Sequence, residues 1–278
     1  MSLILTPFSN LDPEIPGKVY LCQVRPGVSC GACCGLYNVP DASRSAIYDI
    51  LLKRTELFAS VKRTYEDVLA FADKIAMIEN QRRPMEDFHH CPYIGFMDSD
   101  PLSPGCLLHP MASGNNGLDL RGVSYYGGMT CNMYFCPTCR DVPERYKKIL
   151  RYAAEDWHSF GLVITESDVI KCFFENVETD LGRLLDPDEM NFSDEFFEAV
   201  RGFINLKTEW PFRKNGILVN YFFNDGIGAA PDIEDKYGLA NRWNPVLKAF
   251  RSEISCIKDF ARAVDLLEKT VVSLVNAI

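Results

Sequence analysis

Little in this sequence points to a membrane or to nucleic acid. No apolar run reaches the roughly 18 residues that a spanning helix needs. No basic residue precedes the short Leu3-Ile4-Leu5 run, which argues against a secretory signal. Positive charge is scarce: 29 Lys and Arg face 38 Asp and Glu, a net charge of −9. Most of the deficit lies in residues 141–278, with 17 basic against 24 acidic residues. Neither part offers the basic surface that phosphate-backbone binding needs. Histidine is rare, at four, and no Ser/His/Asp nucleophilic set carries a diagnostic local motif. Gly226-Ile227-Gly228 lacks the last glycine of a dinucleotide fingerprint. These absences lead to the expectation of a cytoplasmic chain that binds neither membrane nor nucleic acid. Its 278 residues, 47% apolar, suffice for a sizeable core.

Cysteine is what the chain has in quantity. Of 11, nine fall in residues 1–140. A chain this long needs no disulfides, and an odd count without an export signal points to reduced thiols that are buried, bound or reactive. The first group, Cys30-Gly31-Ala32-Cys33-Cys34, contains a Cys-x2-Cys step, in which a tight turn presents two sulfurs to one ion. Adjacent Cys33 and Cys34 cannot aim in one direction from an extended backbone. They are expected to serve different metals, or different iron corners of one cluster. Cys91 and Cys106 form a second group, with His109 three residues on as a candidate further ligand. Cys131-x4-Cys136-Pro137-Thr138-Cys139 is the third and repeats the chelating step.

Cys22, Cys172 and Cys256 are expected to be core thiols, which leaves Cys30, Cys33, Cys34, Cys91, Cys106, Cys131, Cys136 and Cys139 as metal ligands. Two four-thiolate sites would use all of them, and one four-thiolate iron–sulfur cluster would leave four over. Spacing separates neither zinc from iron nor one partition of ligands from another. A redox dithiol at Cys136 and Cys139 would call for a preceding strand, which the glycine-rich approach from Gly127 does not supply.

The periodicity predicts a mainly α fold. Ser43 or Asp41 starts a helix over about 44–58, and Thr64 starts another whose stripe runs Tyr65, Val68, Leu69, Ala72, Ile75 and Ala76. Short strands are expected near 19–21 and 36–39. From Pro84 to Arg140, prolines and glycines break the pattern, and ligation is expected to substitute for a core. Helix starts then recur at Asp141, Thr165 and Ser193, and 246–278 reads as one or two helices. Gly216 to Phe223 fits a buried helix or strand. The expected organisation is an irregular cysteine-rich lobe, 1–140, with an inserted helical pair, against a helical region, 141–278. One continuous domain is the alternative.

These cysteine motifs resemble those of a family of cysteine-cluster, zinc- or iron-chelating domains, and more weakly those of flagellin lysine N-methylases. The family opening, Cys-x2-Cys-Gly-x-Cys-Cys, resembles Cys30-Gly31-x-Cys33-Cys34, with Gly27 where the earliest cysteine would stand. A Cys-Pro-Phe-Leu segment resembles Cys91-Pro92-Tyr93-Ile94, a following cysteine resembles Cys106-Leu107-Leu108, and a Cys-x2-Cys-Arg ending resembles Cys136-Pro137-Thr138-Cys139-Arg140. The match covers about residues 28–140, with a faint echo in 218–223. The resemblance implies a zinc or iron centre and, through the methylases, S-adenosylmethionine chemistry. The leading expectation is a protein with a structural metal or iron–sulfur centre. An S-adenosylmethionine-dependent protein methyltransferase is the enzymatic alternative. A non-catalytic adaptor, its acidic part meeting a basic protein surface, is the third.

Overall fold

The computed structural model describes residues 9–98, 100–214, 216–218 and 241–278. Helix accounts for 52% and strand for 5%, so the fold is mainly α, as the periodicity predicts. The Gly216–Phe223 segment falls largely outside the described residues. Among those residues, no helix is long and apolar enough to cross a membrane.

Two antiparallel hairpins carry the strands: β1 (Gln23–Arg25) with β2 (Val28–Ser29), and β3 (Ile94–Met97) with β4 (Ser103–Cys106). Pro26-Gly27 makes the first turn, with Gly27 at φ +80°, the left-handed value a side chain resists. The hairpins are stitched together. Gly27 N–H donates to Ser103 Oγ at 2.8 Å, and Ser29 Oγ and Gln23 Nε2 both donate to Pro104 O, at 2.9 and 2.7 Å.

Neither expected early strand forms where the periodicity put it. Around 19–21 the backbone turns to side chains instead: Tyr20 N–H donates to Asp12 and Arg151 donates to Tyr20 O. At 36–39, Gly35 takes φ +76° and Leu36 and Asn38 close turn bonds, while the Asn38 side chain bonds Met85 and Phe88. Local turn bonds won over β propensity there.

The helices begin at their capping residues. Ser43 caps α1 (Arg44–Ala59), Thr64 caps α2 (Tyr65–Ile78), and each side chain accepts an amide from the first turn. Then come α3 (Gly127–Met133), α4 (Pro137–Asp141), α5 (Glu144–Ala153), α6 (Trp157–Ile164) and α7 (Ser167–Leu181). Ser193 caps α8 (Asp194–Glu209), and the last stretch forms two helices, α9 (Asn244–Ala249) and α10 (Ile257–Asn276).

The large core joins helices α5 to α10, with Phe173 and Phe203 stacked 3.6 Å apart, and it also takes in Val19, Leu21, Val24 and Val28. Each such fully buried aliphatic or phenyl side chain is worth about 1.5–3 kcal/mol in apolar transfer. Two smaller clusters lie beneath α1 and α2. One of them holds Tyr93, Leu107, Leu108 and Leu120. The 84–140 segment therefore has more core than its prolines and glycines suggest. Its most thinly cored part is 121–137, where Tyr125, Met129 and Met133 are exposed while Val123, Phe135 and Cys136 pack against the cores.

Candidate metal centre

The β1–β2 register places the first pair of thiols. Gln23 pairs with Ser29, and the next step outward sets Cys22 against Cys30, with Cys30 N–H donating to Cys22 O at 2.9 Å. Directly opposed residues of an antiparallel pair share a face, with Cβ atoms roughly 5 Å apart. Cys22 was expected to be a core thiol. It is half-buried, and burial first, then the charges of Cys33, Cys30, Cys136 and Cys139, push its pKa well above the ordinary value.

Beyond Cys30 the chain enters a 3-10 turn, Ala32–Cys34, closed by Cys34 N–H to Gly31 O at 3.1 Å. Such a turn differs from the extended backbone assumed from sequence, and it lets neighbouring side chains approach. The mutual influence of the two neighbouring thiols holds Cys33 low and, with burial, drives Cys34 well above the ordinary value. Their further neighbours differ. Cys33 acts on Cys22, Cys30 and Cys136, whereas Cys34 feels Cys91 and Cys106.

Gly35 brings the second group in. A Cβ there would lie 2.2 Å from His89 O, so only glycine lets the His89-His90-Cys91 segment pass this close. Cys91 N–H donates to Cys34 O at 2.8 Å, and His90 Nδ1 bonds Gly35 O at 2.7 Å. Buried Arg54 donates to Cys91 O at 3.0 Å while also holding Glu79 and His90. Burial and Cys106 push the Cys91 thiol up to about 12, and burial lifts Cys106, at the end of β4, to about 11. Cys131 on exposed α3 acts on both and meets Ser124 Oγ at 3.0 Å.

Cys136 stands just before α4, and α3, a helix rather than the strand a redox dithiol expects, precedes it. Cys139 lies inside α4. It is buried, and its Sγ donates to Pro16 O at 3.4 Å and to Val19 O at 3.6 Å. His109 spends Nδ1 on the Met111 amide at 3.1 Å, and after burial its strongest influences are Arg121 and Asp119. The structure thus places His109 beside an ion pair. Cys172 donates to Arg242 O at 3.0 Å, and Cys256 is exposed at the start of α10, so Cys256 is no core thiol.

Nearby backbone amides lower the pKa of several of these thiols. The amide of Ala32 acts on Cys30, that of Tyr93 on Cys91, those of Leu108 and His109 on Cys106, and those of Cys139 and Thr138 on Cys136. In each case the donor includes the residue two positions on. Such bonds favour the thiolate, the form that binds a metal, while burial opposes it. The Thr138 hydroxyl is fully buried and has no partner of ordinary hydrogen-bond geometry, yet it lies close enough to the Cys136 sulfur to favour its thiolate.

Cations were the part least visible in sequence, where only Arg140 touches a motif. Lys147 and Arg140 act on Cys139, Arg121 on Cys106, and Arg54 on Cys91, each favouring the thiolate. Arg121 is itself held by Asp119 at 2.7 Å.

The thiols sense one another's charge, but they are not gathered to ligation distance. Among the described residues, no three His, Cys, Asp or Glu side chains form a group able to hold a metal ion as they stand. Neutral thiols have no attraction that would draw them closer, and a cation would supply one. The donor chemistry suits zinc or iron, both thiolate-binding metals.

No protein-family model, no curated protein and no solved structure matches the chain. The resemblance to cysteine-cluster domains therefore stands on its motifs alone.

Proposed function

We propose that this chain is a metal- or iron–sulfur-cluster-binding protein whose centre is structural. The observation that carries the reading is the backbone pairing that brings cysteine segments together, Cys30 N–H to Cys22 O at 2.9 Å and Cys91 N–H to Cys34 O at 2.8 Å, with nearby amides that favour the thiolates of Cys30, Cys91, Cys106 and Cys136. Burial makes a lone thiolate costly at these positions, and donors placed to stabilise one have a use when a cation is present. Zinc or iron there would tie the first hairpin, the Cys91–Cys106 loop and the poorly cored 121–137 stretch to one another. A four-thiolate zinc carries a formal charge of −2, which makes it a weak electrophile and favours a scaffolding role. All eleven cysteines are free, which fits a reducing compartment, the cytoplasm.

The test is the metal content and absorption spectrum of protein purified without oxygen. Colourless protein with about two zinc ions per chain supports closed four-thiolate sites. A brown protein with matching iron and sulfide supports a cluster. Metal-free protein that takes up neither metal under reducing conditions refutes the reading. A change in the metal's X-ray absorption on adding S-adenosylmethionine would put the methyltransferase alternative first.

A further inference from the structure

The first turns of α1 and α6 and the last turns of α8 border a cavity of about 540 Å³, a size that takes a small molecule. His158 lines this cavity although only 5% of the residue is exposed. Its Nε2 lies 2.8 Å from Ala42 O. A carbonyl only accepts, so Nε2 carries the proton and Nδ1 is left as an acceptor. Among the described residues, no group donates to that Nδ1. Burial holds the ring below its ordinary 6.5, which keeps the Nδ1 lone pair free at neutral pH.

The charges around the cavity are of both signs. Asp156 caps α6 through Oδ1, which accepts the amides of His158 at 2.7 Å and Ser159 at 3.0 Å. Its Oδ2 accepts the Ser159 hydroxyl at 2.6 Å and keeps a second lone pair. Arg44 stands 3.9 Å from Asp156 Oδ1, too far for a hydrogen bond, with its guanidinium 5.8 Å from the centre of the Trp157 ring. Asp41 spends Oδ1 on the Ser43 amide at 2.9 Å. Two carboxylates against one guanidinium disfavour a simple anion, and the gap between Arg44 and Asp156 suits a ligand that carries both signs.

We propose that this cavity binds the zwitterionic head of a free amino acid with an apolar side chain. An ammonium group has three N–H donors, and His158 Nδ1, Asp156 Oδ2 and Asp41 Oδ2 are three acceptors for them. The ligand's carboxylate takes the Arg44 fork, which can hold it through two parallel hydrogen bonds. Pro40, Ala42 and Leu218 supply apolar lining for the side chain. This site is independent of the metal-binding reading above.

Calorimetric titration of the full chain with leucine and phenylalanine, against N-acetyl-leucine, leucinamide and inorganic phosphate, decides the matter. At least one of the two amino acids should bind and phosphate should not. Blocking the ammonium or the carboxylate of leucine should each weaken binding by about tenfold or more, because each removes charge-assisted hydrogen bonds. Arg44→Gln, at an exposed side chain, should lower the affinity for leucine by a similar factor. In labelled wild type, the nitrogen resonance of His158 Nδ1 should shift on adding leucine, a readout that does not depend on a variant folding. Equal affinity for leucine and either blocked analogue, binding of phosphate alone, an unmoved Nδ1 resonance, or an unchanged affinity in Arg44→Gln overturns the proposal. So does the absence of binding by both amino acids, and each of these results leaves the metal reading untouched.

Discussion

Glu178 illustrates how single residues here hold charge inside the helical region. It accepts from Arg145 at 2.7 and 2.9 Å, from Tyr146 at 2.6 Å and from the Leu185 amide at 2.9 Å. Burial pushes its carboxyl up, but these donors outweigh burial and hold it below its ordinary 4.5. A depressed carboxylate contributes stability that is complete above the ordinary value and lost as pH falls through the folded one. Glu178→Gln should therefore cost roughly 2 kcal/mol near neutrality. That cost should shrink as the pH falls below 4.5. Urea unfolding of both proteins across the acid range checks this; a cost independent of pH would mean that shape, and not charge, is what Glu178 supplies. Nothing in the sequence singles out this carboxylate among 38 acidic residues, because its partners lie on a different helix. The same limit hid Cys22, whose opposition to Cys30 depends on strand register rather than spacing.

Elements with local signals were legible. Ser43, Thr64 and Ser193 start helices because a side-chain oxygen satisfies an amide of the first turn, and that requirement is visible within a few residues. The β3–β4 hairpin was missed, since Pro101 and Pro104 read as breakers and its pairing is set by packing on α1. Between elements, Gly35 carries the closest approach. Gly35→Ala puts a side chain on a left-handed residue and a Cβ 2.2 Å from His89 O. Gly117, at φ +84°, has nothing within 4 Å of its would-be Cβ. Gly117→Ala should cost about 1 kcal/mol from backbone strain alone, and Gly35→Ala should cost clearly more because the His89–Cys91 segment must move. Thermal unfolding of the two variants measures the difference. Equal losses would show that the His89–Cys91 segment is free to shift away from Cys34.

Across the whole molecule, order has two different sources. The large core from Val19 to Leu274 closes on itself through apolar packing and needs no ligand. The 121–137 stretch has exposed tyrosine and methionine side chains and carries Cys131 and Cys136 as free thiols. If thiolate ligation orders that stretch, losing one ligand should loosen it locally and leave the helices alone, because metal binding energy is folding energy only where the metal holds the chain. Cys91→Ser should therefore raise amide exchange strongly over 121–137, with little change in α7, α8 and α10. Chelation of wild type should reproduce that pattern, and Cys256→Ser, at an exposed position, should leave it unchanged. Exchange that rises equally in α8 and in 121–137 would identify one cooperative unit, in which the thiols pack as ordinary core groups. A rise confined to 121–137 would separate the ligated segment from the apolar core, a distinction that composition foreshadowed through the proline and glycine of 84–140 but placed too broadly. Tyr93, Leu107, Leu108 and Leu120 are buried under α1 and α2, and only contacts distant in sequence could have revealed that.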